Sequence, residues 1–155
     1  MLLLGQTPQP TGVIAGAVVA QQQRKVVQPV QVILLSSRYT NLWNSDVQKR
    51  LDVYWETYKP AFAAKKDSFL EASKQAHREA TNYIVRRMRQ DPSSNASAYM
   101  KETSSEGTFE FKNVPFDEYK ILAIGKIGNE EMMWQESVDL RSSIPQFLEL
   151  NKPIP

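Results

Sequence analysis

A long segment without glycine interrupts a chain that otherwise favours β-structure. Residues Asn44 to Gln90 contain no glycine and one proline, Pro60. Their apolar side chains recur with the 3.6-residue period of an amphipathic helix, and Ser45 opens a capping-box sequence at the start. The apolar stripe consists of Val47, Leu51, Tyr54, Trp55, Tyr58, Phe62, Phe69, Ala72, Ala76, Ala80 and Tyr83. The sequence therefore predicts a helical insertion over residues 44–91.

The insertion fits either a helical hairpin or one long helix kinked at Pro60. The stripe keeps its phase throughout, which favours one helix, but that helix would span roughly 67 Å and outreach a small sandwich. Lys65-Lys66 suits a helix C-terminus, and Ser68 to Glu71 form a second capping-box sequence. We favour the hairpin, which we expect in a monomer. One long helix would instead need a homodimer through Phe62 to Tyr83.

Strands are predicted on both sides of the insertion. Two apolar segments precede it, the second with a strand start at Pro29 and an end that is buried on both faces, and alternating segments separated by turns follow it. Gly107 lies at a turn position that requires positive φ, and Gly128-Asn129 is a two-residue hairpin signal. Phe109 and Phe111 share one face of their strand, because successive side chains alternate, and we expect both to anchor the sheet in the core.

About seven such strands predict a mainly β, α+β fold. The 155 residues fit a single domain, 1–155, with its own core. We assign residues 11–36 and 98–151 to a β-sandwich and residues 44–91 to the helical insertion.

Several of these motifs occur together in a known family. The chain carries Gly12-Val13-Ile14-Ala15-Gly16, Pro29-Val30-Gln31-Val32, Gly107-Thr108-Phe109-Glu110-Phe111, Val114-Pro115 and Tyr119-Lys120-Ile121. This pattern resembles carboxypeptidase regulatory-like domains, which belong with the transthyretin-like (prealbumin-like) and Cna B-type β-sandwiches. The resemblance implies a seven-stranded Greek-key sandwich that serves as a stalk, accessory or adhesion module, usually outside the cytoplasm.

The chain departs from this family where activity would be carried. Some Cna B-type domains crosslink a first-strand lysine to an asparagine, but Val13 to Val19 contain no lysine. Transthyretin-like hydrolases end in Tyr-Arg-Gly-Ser and carry several histidines, whereas this chain ends in Asn151 to Pro155 and has one histidine, His77. We therefore predict no enzyme activity and no catalytic, cofactor or metal residues, with His77 on a helix surface.

Composition excludes several classes of partner and site. A formal charge of +2 is too small to indicate nucleic acid binding. The chain has no cysteine, so it has no disulfide and no thiolate site. No run approaches the ~18 apolar residues of a transmembrane segment.

Two groups of side chains in the insertion are candidates for binding a partner. Arg78, Arg86 and Arg89 lie on one helical side, which is either a solvated face or a surface for an acidic partner, phosphate or lipid head groups. Trp43, Trp55 and Tyr58 belong either to the core or to a platform that stacks on sugars. The leading hypothesis is a non-enzymatic interaction module whose insertion binds an unidentified protein. The alternatives are a carbohydrate-binding module and, least favoured, an enzyme.

Overall fold

The computed structural model describes residues 9–20 and 25–155, without the side chains of residues 61–64 and 66. The described residues form seven strands and a pair of long helices. The elements are β1 (Thr11–Val18), β2 (Val26–Leu35), α1 (Ser37–Ala64), α2 (Lys66–Gln90), β3 (Met100–Glu102), β4 (Thr108–Pro115), β5 (Asp117–Ile127), β6 (Glu130–Leu140) and β7 (Gln146–Leu150). The predicted α+β fold is therefore confirmed.

The strands form two sheets. One has the order β4-β1-β7, with β1 antiparallel to β4 and parallel to β7. The other has the order β3-β2-β5-β6 and is antiparallel throughout. The turns at Gly107 (φ +83°), as predicted, and at Gly128 (φ +62°) have positive φ, which glycine adopts without steric cost.

The first hydrophobic core lies between the two sheets. Phe109 and Phe111 are buried there, as predicted, and their rings lie 6.0 Å apart. Tyr119 is 4% exposed and donates its hydroxyl to the Pro115 carbonyl at 2.6 Å, and burial raises the pKa of this tyrosine. Both sheets contribute to this core, so the β-part of the molecule is sandwich-like.

A second core lies between the four-stranded sheet and the helices. Its sheet side consists of Ile33, Leu35, Leu122 and Met133, and its helix side of Tyr39, Trp43, Val47, Ala80, Ile84 and Met88. Strand β2 therefore buries side chains on both faces along Val32 to Leu35, as its apolar sequence predicted. The molecule consequently has three layers: a sheet, a second sheet and a helical layer.

The insertion begins earlier than predicted. Helix α1 starts at Ser37 instead of Asn44, so the capping-box sequence at Ser45 lies inside the helix. The Asp117 carboxylate caps this start, because it accepts hydrogen bonds from the Ser37 N–H and hydroxyl, each at 3.0 Å. A cap supplied from 80 residues away leaves no local sequence signal.

The two helices separate at Lys65, in agreement with the favoured hairpin. Lys65 has extended backbone angles and precedes α2 without a side-chain cap. The second capping-box sequence at Ser68 therefore does not start the helix. Pro60 lies within α1, so the chain breaks five residues after the proline.

Pro29 also differs from its predicted position. We expected Pro29 to start a strand, but β2 begins at Val26 and the proline lies inside it. The pairing with β5 shifts register between Val27 and Gln31, where a residue without an N–H interrupts no regular hydrogen bond.

Asp91 ends α2 and ties the helix to the base of α1. Its carboxylate accepts hydrogen bonds from the Ser93 N–H at 3.0 Å and the Ser93 hydroxyl at 2.7 Å, and from the Tyr39 hydroxyl at 2.7 Å. These bonds, together with Arg38 at 3.5 Å, lower the pKa of Asp91 to about 2. The predicted helix stop at this residue is confirmed.

Candidate interaction surface

The two helices of the hairpin run side by side in opposite directions. Trp43 of α1 contacts Thr81 of α2, and Trp55 contacts Phe69. We call residues 37–50 and 74–90 the proximal half of the hairpin, which packs on the four-stranded sheet. The described residues at 51–60 and 67–73 form the distal half.

Trp43 belongs to the proximal half and is a core residue. It is 2% exposed, and its indole N–H donates to the Thr81 hydroxyl at 3.0 Å. The His77 ring lies 5.6 Å away, and the Lys120 ammonium lies 4.8 Å from the indole centroid. The prediction that Trp43 binds a partner is therefore wrong, because other parts of the protein bury its side chain.

Trp55 and Tyr58 continue the same stripe but remain about half exposed, at 47% and 50%. Trp55 lies eight residues after the buried Val47, which keeps it on the same side of α1. Its ring meets Phe69 edge to face, with centroids 6.2 Å apart. Leu70 is also exposed. The stripe therefore runs past the core that covers it in the proximal half.

The hairpin and the sheet thus cover only part of the apolar stripe. We expected two helical stripes and one sheet face to cover one another, and this holds for the proximal half. In the distal half, the exposed large apolar side chains are Val53, Trp55, Tyr58, Phe69 and Leu70. Phe62, which the sequence placed in the stripe, has a side chain outside the described residues.

A groove also runs between the helices, partly lined by the stripe residues Tyr54, Tyr58 and Ala72, and we call it the outer groove. Its distal part, about 560 Å³, is lined by Tyr54, Tyr58, Asp67, Ser68, Glu71, Ala72 and Gln75. Its proximal part, about 430 Å³, is lined by Arg50, Glu79, Asn82, Val85, Arg86 and Arg89. Both helices contribute side chains to each part.

An ion pair lies in the middle of the outer groove. Arg50 donates to Glu79 at 2.8 Å and to Asp46 at 2.7 Å. Tyr54 also donates its hydroxyl to Glu79. This hydrogen bond is the largest of the effects that lower the pKa of Glu79, and it raises the pKa of Tyr54.

The predicted basic face is split between two surfaces. Arg86 and Arg89 are exposed and line the outer groove. Arg78 instead turns toward β6, where its Nε donates to Glu131 at 2.7 Å. A helical wheel cannot foresee this, because a long arginine side chain reaches across to a neighbouring element. Glu71 and Asn82 in the groove were missed, since polar residues add nothing to an apolar stripe.

His77 is half-buried, whereas we predicted a position on the helix surface. Its Nδ1 lies 2.7 Å from the Ser73 carbonyl, and its ring packs beside Trp43. Among the residues that the structure describes, no group of three or more histidine or acidic side chains could hold a metal ion. No helix in the same part of the chain is long and apolar enough to span a membrane.

Comparisons with known proteins assign no family to the chain. No protein-family description matches it, and neither does any curated protein. Among solved structures, a Pseudomonas aeruginosa protein proposed to bind carbohydrate is similar, with a TM-score of 0.43 and 15% sequence identity. The similarity covers 96% of this chain and 92% of that one.

Proposed function

We propose that this protein is a non-enzymatic interaction module that binds a protein partner through the distal half of its helical hairpin. The observation that carries the proposal is the half-exposed apolar surface formed by Trp55 and Phe69 of the stripe together with the neighbouring Leu70. Burying one large apolar side chain is worth roughly 1.5–3 kcal/mol. Clustered exposed apolar residues mark interaction sites, and tryptophan and tyrosine are enriched among residues that dominate binding energy.

The partner contact that fits this surface is apolar. The described distal half carries four exposed acidic side chains and one exposed basic side chain: Asp52, Glu56, Asp67, Glu71 and Lys59. Glu56 and Lys59 pair with each other at 3.5 Å. Two adjacent helices also present a ridged surface that accepts a third helix. The proposed ligand is therefore an amphipathic helix of the partner.

The sandwich is the second part of the proposal. We place the chain with the transthyretin-like, carboxypeptidase regulatory-like domains, with a Greek-key connection of the strands and a location outside the cytoplasm. The buried Phe109 and Phe111, the turn at Gly107 and the inward ring of Tyr119 support this assignment. In such a module, the sandwich is the scaffold and the insertion provides the binding surface.

The decisive experiment starts with a photocrosslinking residue at position 70, expressed in the native organism. The control carries the same residue at position 144, because Ile144 is a 75% exposed apolar side chain on the sandwich. We expect a discrete adduct from position 70 alone, and its protein component would then be purified.

Direct binding then separates the two surfaces. Loss of two residues that dominate binding should weaken affinity by at least about 100-fold, so we expect this of the Trp55→Ser/Phe69→Ser variant. Ile144→Ser/Phe147→Ser removes two apolar side chains that are more exposed than these and should bind like the wild type. The proposal is wrong if the sandwich variant loses binding or if the distal variant keeps it.

A second candidate function is carbohydrate binding. The half-exposed Trp55 and Tyr58 rings favour it, because aromatic faces stack on sugar rings. Trp43 no longer contributes, since it is buried. A glycan array would test this candidate. A sugar that binds the wild type but binds neither Trp55→Ala nor Tyr58→Ala would support it. Binding that persists in both variants would exclude this site.

A further inference from the structure

The outer groove contains a regular row of side chains along α2. Seven of the α2 residues that line the groove advance by alternating steps of four and three, and Glu71 and Val85 flank them: Ser68, Ala72, Gln75, Glu79, Asn82, Arg86 and Arg89. This 3.5-residue period is the spacing by which one helix presents a continuous seam to another helix. Most residues of the row are polar, so the row is not an exposed part of the hydrophobic core.

The row is acidic at one end and basic at the other. Asp67 and Glu71 lie at the distal end, and Arg86 and Arg89 at the proximal end. All four are exposed, and none has an ion-pair partner within the described residues. This order favours α2 itself, because acidic residues near a helix N-terminus and basic residues near its C-terminus complement the helix dipole.

The dipole does not explain the order of the intervening residues. About a point between Arg78 and Glu79, four pairs of groove residues are equidistant. Glu71 mirrors Arg86, Gln75 mirrors Asn82, Ala72 mirrors Val85 and Ser68 mirrors Arg89. A second α2 lying antiparallel on this row would therefore bring acid to base, amide to amide and apolar to apolar. A parallel register would bring like charges together.

We propose that a second copy of this chain occupies the outer groove and forms an antiparallel, twofold-symmetric dimer through α2. A twofold interface is self-complementary, as this row is. The 25 residues of α2 span about 37 Å, and two helices are about 20 Å wide. The contact is thus roughly 700 Å² per partner, close to the roughly 800 Å² of a standard specific interface.

The twofold axis places the remaining parts of the two molecules apart. The groove opens on the side of α2 that faces away from the sheet, because its residues Gln75, Asn82 and Arg86 lie opposite the buried Ile84 and Met88 on the helix. The two sandwiches therefore lie on opposite sides of a four-helix layer. This dimer contains hairpins, whereas the sequence led us to expect a monomer from a hairpin.

Charge reversal tests the register on the full chain. Light scattering over a concentration series should show a dimer for the wild type. Glu71→Arg and Arg86→Glu should each raise the dimer dissociation constant by at least about 100-fold, because each places two symmetry-related pairs of like charges in contact. The double variant Glu71→Arg/Arg86→Glu restores opposite charges and should return to within about tenfold of the wild type.

Arg87→Glu is the matched control. Arg87 lies in the same last turn of α2, is exposed and contacts Tyr83 outside the groove, so its reversal should leave the dimer intact. A monomeric wild type, a double variant that does not recover, or an Arg87→Glu variant as weak as Arg86→Glu would each overturn the proposal. Trp55→Ser/Phe69→Ser should remain dimeric, so this inference and the proposed partner site fail independently.

Discussion

The proximal and distal halves of the hairpin carry the same apolar pattern, but only the proximal half packs on the sheet. Trp43 and Trp55 lie on the same helix, yet the first is 2% and the second 47% exposed. The helical period determines which face of a helix is apolar, but the length of the neighbouring sheet determines how much of that face is covered. The halves therefore differ in what they contribute: the first stabilises the fold, and the second is available for binding.

The polar contacts follow the same division. Ser37, Asn44 and Arg78 of the proximal half bond to Asp117, Lys120 and Glu131 of the four-stranded sheet. Within the described distal half, the contact between Trp55 and Phe69 joins the two helices to each other. The proximal half is thus anchored to the sheet by both apolar and polar groups.

The largest expected difference between the halves is in the two tryptophans. Trp43→Ala should lower the free energy of unfolding by about 3–5 kcal/mol, because it leaves a cavity beside the sheet. Trp55→Ala should lower it by less than about 1 kcal/mol, since half of that side chain is already in water. Urea unfolding of both variants measures this, and equal losses would contradict the division into halves.

A smaller difference separates two buried tryptophans. Trp43 and Trp134 are both buried, but within the described residues only the Trp43 indole N–H has a hydrogen-bond partner, Thr81. Both phenylalanine variants lose similar volume, and Trp43→Phe also loses this bond. Trp43→Phe should therefore be about 1 kcal/mol more destabilising than Trp134→Phe. The reverse order on chemical denaturation would show that the bond contributes nothing.

Acid should weaken the base of the proximal half. The pKa of Asp91 is about 2 in the folded chain, below the ordinary value of 3.8. The carboxylate therefore stabilises the fold above pH 3.8, and this stabilisation is lost as the pH falls toward 2. Asp91→Asn should show a smaller loss of unfolding free energy between these values than the wild type.

The control for acid sensitivity is Asp52→Asn. Asp52 is exposed in the distal half and accepts a hydrogen bond from Gln48 on its own helix. This variant should keep the acid sensitivity of the wild type. If Asp91→Asn and the wild type lose stability in parallel between pH 3.8 and 2, the network around Tyr39 does not stabilise the hairpin base.

The smallest effect is expected at the exposed aliphatic residues. Val53→Ser and Leu70→Ser should each change the free energy of unfolding by no more than about 0.5 kcal/mol, because surface substitutions away from special features rarely do more. Thermal unfolding at low protein concentration measures this. A loss above about 1.5 kcal/mol for Leu70→Ser would mean that the protein itself covers the distal stripe.

Much of the fold was predictable from local signals in the sequence. Turns at Gly107 and Gly128, the inward faces of Phe109 and Phe111, and the helix break near Lys65 each depend on residues close together in the chain. The start of α1 was not predictable, because Asp117 caps Ser37 from a distant strand.

The candidate surface was only partly predictable for the same reason. Trp43, Trp55 and Tyr58 are equivalent in the apolar pattern. Only the extent of the sheet makes Trp43 buried and leaves the other two half exposed. Arg78 was grouped with Arg86 by helical position, but its partner lies on β6. The acidic end of the outer groove carries no periodic apolar signal, so it is visible only when both helices are in place.

The double burial of strand β2 also has an evolutionary consequence. Ile33 and Leu35 face the helices while Val32 and Leu34 face the other sheet, so one strand belongs to two cores. A descendant that lost the helices in a single deletion would expose Ile33 and Leu35 to water together with Leu122 and Met133. Loss of the helices would first require polar residues at those four positions, so the acquisition of these helices is hard to reverse.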